Sequence, residues 1–70
     1  MMPLTMAVPG EPVTICRITG RDEVRQHLAE LGFVVGAEVR VVSEMAGSLI
    51  LSVGDSRVAL NRDMAMRIMV

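Results

Sequence analysis

Apolar and polar residues alternate with a period of two over most of the second half of the chain. In 38–44, Val39 and Val41 fall on one face and Glu38 and Arg40 on the other. In 49–53, Leu49, Leu51 and Val53 share a face opposite Ile50 and Ser52, and in 57–60, Val58 and Leu60 point one way. This period is that of strands with one face on a core. Ala46-Gly47-Ser48 and Gly54-Asp55-Ser56 separate the three runs and carry the turn residues of tight hairpins. The pattern therefore predicts a three-stranded meander. Asn61 then suits the N-cap of a short helical turn over 61–66, and 67–70 reads as a last short strand.

The first half reads differently. Val13, Ile15, Cys16 and Ile18 predict a strand over 12–19, entered through a Pro9-Gly10 turn. Leu4 and Met6 alternate with polar or small neighbours, as in a short leading strand. Val24, Leu28 and Leu31 at i, i+4 and i+7 mark one face of a helix over 21–31. Thr19 and Asp22 have the spacing of a capping box, and Asp22 and Glu23 suit the positive end of the helix dipole. Gly32 supplies a helix stop and Gly36 a second tight turn. The predicted fold is mainly β with one α-helix. Strands this short bury one face only by curling and closing, which points to a small SH3-like β-barrel, with an OB-like barrel as the second choice.

Seventy residues make one domain, 1–70. A chain of this length buries only about 60% of the surface its unfolded form exposes. Yet 51% of its residues are hydrophobic. No apolar run approaches the ~18–20 residues of a membrane span, and residues 1–10 lack the basic stretch and apolar block of a signal peptide. The apolar surplus is therefore expected on the surface, as a contact patch. Cys16 is the only cysteine, which excludes a disulfide framework and fits a reducing cytosol. The net charge is −1, and the seven basic residues, all arginine, are scattered among carboxylates. Neither a cationic stripe nor aromatic stacking platforms are present, Phe33 being the one aromatic residue, so nucleic acid is not an expected partner.

No catalytic constellation is visible. Ser43, Ser48, Ser52 and Ser56 lack the sequence context of a nucleophile, whether paired with His27 or not, and no phosphate-binding loop occurs. The chain is not expected to be an enzyme or to require a cofactor. The metal-ligand candidates are Cys16, Glu23 and His27; the last two lie one helical turn apart and make one edge of a site for Fe2+ or adventitious Zn2+. A further ligand would come from elsewhere or from a second molecule. Cys16 by itself reads as a small buried hydrophobe. Met64, Met66 and Met69, with Met45, read as fillers of a core without aromatics, or as an adaptable contact surface. In Gly32-Phe33-Val34-Val35-Gly36, Phe33 is expected to plug the barrel, and Val34 and Val35 are candidates for exposure. The partner-binding candidates are Phe33, Val34, Val35 and Met64.

The run Leu31-Gly32-Phe33-Val34-Val35-Gly36 followed by Glu38-Val39-Arg40-Val41-Val42 resembles the FeoA family, ferrous iron transport protein A. Pro9-Gly10-Glu11, Ile18-Thr19-Gly20, Ser56-Arg57-Val58-Ala59-Leu60 and the segment from Asp63 to Val70 extend the resemblance over nearly the whole chain. A proline often precedes the turn glycine in that family, where this chain has Val35, and lysines common there are absent here. The resemblance implies an SH3-like barrel and a cytosolic, cytoplasmic accessory protein of bacterial ferrous iron uptake. Its implied partner is the cytosolic side of a FeoB-type membrane GTPase transporter, with the membrane reached only through that partner. Self-association as a homo-oligomer also fits the apolar excess. The alternative is a metal-responsive module related to the C-terminal domain of iron-dependent repressors.

Overall fold

The computed structural model describes residues 1–70. Pro12–Thr14 (β1) and Arg17–Ile18 (β2) precede the helix Asp22–Glu30 (α1). Glu38–Met45 (β3), Ser48–Val53 (β4) and Ser56–Asn61 (β5) follow, then the one-turn helix Arg62–Ala65 (α2) and Ile68–Met69 (β6). The sheet order is β1-β3-β4-β5, with β2 and β6 forming a second, two-stranded piece; every pairing is antiparallel.

The alternation read from the sequence is the alternation of burial. Val39, Val41, Leu49, Leu51, Val53 and Leu60 are buried, Val58 is half-buried, and Ile50 and Ser52 take the other side of β4. Register slips once, between Val41 and Ser43, where an extra residue bulges out of β3. A bulge bends and twists its strand, and here it curls the meander around its apolar face. Both hairpins have two-residue turns. Ala46 and Gly47 both take positive φ (50° and 79°), whereas in the Gly54-Asp55 turn it is Gly54 that does (55°). These are the turn conformations that match strand twist.

The predicted strand over 12–19 is in fact two. Ile15 donates its N–H to Ala37 O (2.9 Å), just before β3, whereas Cys16 donates to Met69 O (2.8 Å), in β6. The chain changes partners between these residues and so turns the corner from one sheet to the other. Neighbouring residues in extended chain face opposite ways. Ile15 is therefore buried and Cys16 exposed, which corrects the expectation that Cys16 is a buried hydrophobe.

Two more expectations are corrected. Leu4–Met6 is a 3₁₀ turn rather than a leading strand, and it drops Leu4, 0% exposed, into the core. The N-cap of α1 is Arg21, with no side-chain cap; the Thr19 hydroxyl is drawn instead to Arg67 O (3.3 Å). Asn61 does cap α2, its Oδ1 accepting the Met64 N–H at 2.9 Å. All thirteen buried residues are apolar, and no buried side-chain polar atom lacks a partner. No helix is long and apolar enough to cross a membrane.

Candidate functional site

The segment between α1 and β3 is built by two glycines. At the end of α1, Phe33 donates its N–H to Leu28 O (2.9 Å) and Gly32 donates to Ala29 O (3.0 Å). That pair of bonds is the Schellman closure, which needs a left-handed residue; Gly32 supplies it at φ 103°. The accompanying apolar contact between the residues on either side of the stop is made by Leu28 and Phe33, both 0% exposed in one core.

Beyond Phe33 the chain turns again. Ala37 donates to Val34 O (3.0 Å), and Gly36, at φ 91°, is the third residue of the turn. A positive φ at this position defines a type II turn. The turn is tied to the body of the molecule from both sides of Gly36: Gly36 N–H reaches Ile15 O (2.8 Å), and Ala37 O receives the Ile15 N–H. The first two turn residues cannot follow Phe33 inward. Val34 is 46% and Val35 66% exposed. Two branched apolar side chains are thus displayed on backbone that is pinned at both ends. Phe33 is corrected as a partner-binding candidate: it is fully buried in the core, because the helix stop at Gly32 turns it inward against Leu28, and so has no surface to offer a partner.

An acidic groove lies at the foot of the loop, where Leu31-Gly32 and Ala37-Glu38 enter and leave it. Glu30 and Glu38 flank the loop, and with Asp55 they line an open groove floored by Leu31, Ala37 and Val53. No arginine lines that groove.

The other candidates fall elsewhere. Met64 sits in α2, half-buried and packed against the core, so it fills the core as expected, whereas Met69 is half-buried in β6 beside the inward-facing Ile68 and is not part of the core packing. Met45 and Met66 are exposed. Glu23 and His27 are both exposed on α1, one turn apart. Cys16 is exposed in the corner between β1 and β2, its thiol directed at Met69 O (3.4 Å). Cys16, Glu23 and His27 are not brought together, and no three His, Cys, Asp or Glu side chains are grouped to hold an ion. The sequence reading missed the acidic groove. Glu30, Glu38 and Asp55 are far apart in the chain, and only the fold makes them neighbours.

The FeoA domain model matches residues 2–70. A protein described as Fe(2+) transport protein A, from Methanocaldococcus jannaschii, is 34% identical over 70 residues, spanning 100% of this chain and 85% of that one. Among solved structures, an iron uptake regulatory protein, FeoA, superimposes with a TM-score of 0.87 at 31% identity, over 96% of this chain and 91% of that one. A zinc complex of FeoA from Stenotrophomonas maltophilia, described as a prokaryotic SH3 domain protein, gives 0.84 at 29% identity over 99% and 88%. The fold is accordingly SH3-like, as the strand pattern predicts. A manganese-dependent transcriptional repressor shares the fold alone: a TM-score of 0.83 at 23% identity, over 94% of this chain and 38% of the repressor.

Proposed function

The chain belongs to the FeoA domain family, and on that premise we propose that it is a cytosolic accessory protein of ferrous iron uptake that docks on the cytosolic side of a FeoB-type GTPase transporter. The observation that carries the reading is the Val34-Val35 tip. Exposed branched side chains on a backbone-anchored turn form a preorganised apolar knob, which loses little entropy on binding. Glu30, Glu38 and Asp55, in the groove at the foot of the loop, add a requirement: the receiving surface is an apolar pocket with a basic rim on the side that meets this groove. Such a rim sets orientation and association rate more than affinity, and salt weakens it.

The test is titration of this protein into the purified cytosolic part of the transporter. Saturable binding is expected, lost on Val34→Glu or Val35→Glu with the fold retained. Absence of binding by the unaltered protein, together with unchanged Fe(II) uptake on deletion, overturns the proposal.

A second reading is favoured by one observation, the zinc complex of the Stenotrophomonas protein. Glu23 and His27, exposed at i, i+4, form one edge of a transition-metal site. It would be completed by ligands from another molecule. Calorimetry with Zn(II) or Fe(II) should then show heat that His27→Ala abolishes; no heat for the unaltered protein removes this reading.

A further inference from the structure

The edges of the sheets are unequal. β1 is a three-residue strand opening on Pro12, which has no N–H to offer, and β2 and β6 have two residues each. Short strands and proline are the usual means of closing an edge to further pairing. β5 has neither. It runs six residues from Ser56 to Asn61, contains no proline, and keeps an unbroken register with β4. On its other side no strand pairs with it.

Which backbone groups face that open side follows from the hairpin. Val53 and Ser56 flank the two-residue Gly54-Asp55 turn and are opposed in register. Residues flanking such a turn exchange hydrogen bonds, and bonded positions then alternate along the pair. Ser56, Val58 and Leu60 therefore turn their N–H and C=O groups toward β4. Arg57, Ala59 and Asn61 turn theirs outward, the Asn61 carbonyl being committed to opening α2. None of the backbone hydrogen bonds made outside helices and strands ends on Arg57 or Ala59.

We propose that this edge pairs with the same edge of a second copy of this chain, β5 against β5, antiparallel and centred on Ala59. The charges and the hydrogen bonds agree on that register. With Ala59 opposite Ala59, each Arg57 lies opposite the Asn61 of the other copy, whose free N–H meets the Arg57 carbonyl. The two Ala59 residues exchange N–H···O bonds. Inward-facing Val58 comes opposite Leu60, so the apolar face continues across the junction and half-buried Val58 gains cover. Slipping the pair to oppose Arg57 with Arg57 sets like charges face to face, which is unfavourable. Centring on Val58 wastes the Asn61 N–H and brings the guanidinium groups closer. The small, exposed Ala59 leaves the two backbones free to approach. A two-fold pairing of this kind uses up both copies' open edges. The far edges end in β1 with its Pro12, so association stops at two chains.

This inference is independent of the transporter docking proposed above. It is tested by sedimentation velocity and light scattering over the micromolar to millimolar range. The unaltered protein should move from 7.6 kDa toward twice that mass as concentration rises. Ala59→Pro removes an outward N–H at a position where an edge strand tolerates proline. Ala59→Glu places two carboxylates at the two-fold axis. Either substitution should hold the mass at one chain while circular dichroism stays that of the folded domain. Should Ala59→Pro fail to fold, Ala59→Glu decides. A monomer throughout the range, or a dimer that survives in folded Ala59→Glu, overturns the proposal.

Discussion

Met2 and Val70 hydrogen-bond each other twice: Met2 N–H reaches Val70 O at 2.9 Å, and Val70 N–H reaches Met2 O at 2.8 Å. With the Pro3–Met69 bridge beside it, this contact holds the segment that carries Leu4 into the core, next to the elements that end the fold. A core this small rarely supplies more than about 3–5 kcal/mol of net stability. Leu4→Ala removes a fully buried side chain, at a cost of about 2–5 kcal/mol. The expected result is a domain largely unfolded at room temperature. Denaturant titration followed by circular dichroism checks it, and a midpoint near that of the unaltered protein would show that the 3₁₀ turn contributes little.

Phe33 and Val35, two residues apart, should separate folding from binding. Phe33→Ala costs about 3–5 kcal/mol and is expected to unfold the domain, whereas Phe33→Leu leaves a much smaller void, costs correspondingly less and should fold. Val35→Glu, on a side chain 66% exposed, should leave the thermal midpoint within a few degrees. If Val35→Glu destabilised as much as Phe33→Ala, the tip would be part of the core rather than a contact surface.

The first hairpin holds a removable strain. Ala46 takes φ 50°, a region that costs a residue with a Cβ about 1–2 kcal/mol. Asparagine followed by glycine is the favoured pair for this turn, and Gly47 is already in place. Ala46→Asn should therefore raise the melting temperature by a few degrees. A lowered melting temperature in differential scanning calorimetry would contradict the turn assignment.

The meander, α1 and the Asn61 cap were legible because each rests on local signals: period two, period 3.6, and a capping side chain directly after a strand. The split between exposed Val34-Val35 and buried Phe33 was legible from the two glycines that bound the segment. The break at Ile15-Cys16 was not, because a β-branched run reads the same whichever strand it pairs with. Parity could have found the exposure of Cys16, since Ile15 beside it is the better core residue. The acidic groove was invisible, because Glu30, Glu38 and Asp55 meet only through α1, β3 and the second hairpin.

Asn61 offers a test confined to one hydrogen bond. Its Oδ1 accepts from Met64 N–H at 2.9 Å, and the residue is exposed. Asn61→Ala should cost about 1 kcal/mol, while Asn61→Asp or Asn61→Ser should restore most of it. Equal stability of the alanine and serine variants would mean that α2 is held by the burial of Ala65 alone.

The turn at Val34–Ala37 predicts an outcome that differs between stability and binding. Val35 is the second residue of a type II turn, where proline is favoured because its φ is already set near the required value. The Val35 N–H takes no part in the backbone hydrogen bonds made by this loop, so proline forfeits nothing there. Val35→Pro should stabilise the domain by about 0.4–1 kcal/mol, chiefly by restricting the unfolded chain. It also keeps an apolar ring on the tip in place of the branched side chain. If the tip binds as a preformed apolar knob, affinity for the transporter's cytosolic part should hold or improve, where Val35→Glu abolishes it. A variant that is stabilised but no longer binds would show that docking requires the turn to open, and that the pinned geometry is not the one the partner receives.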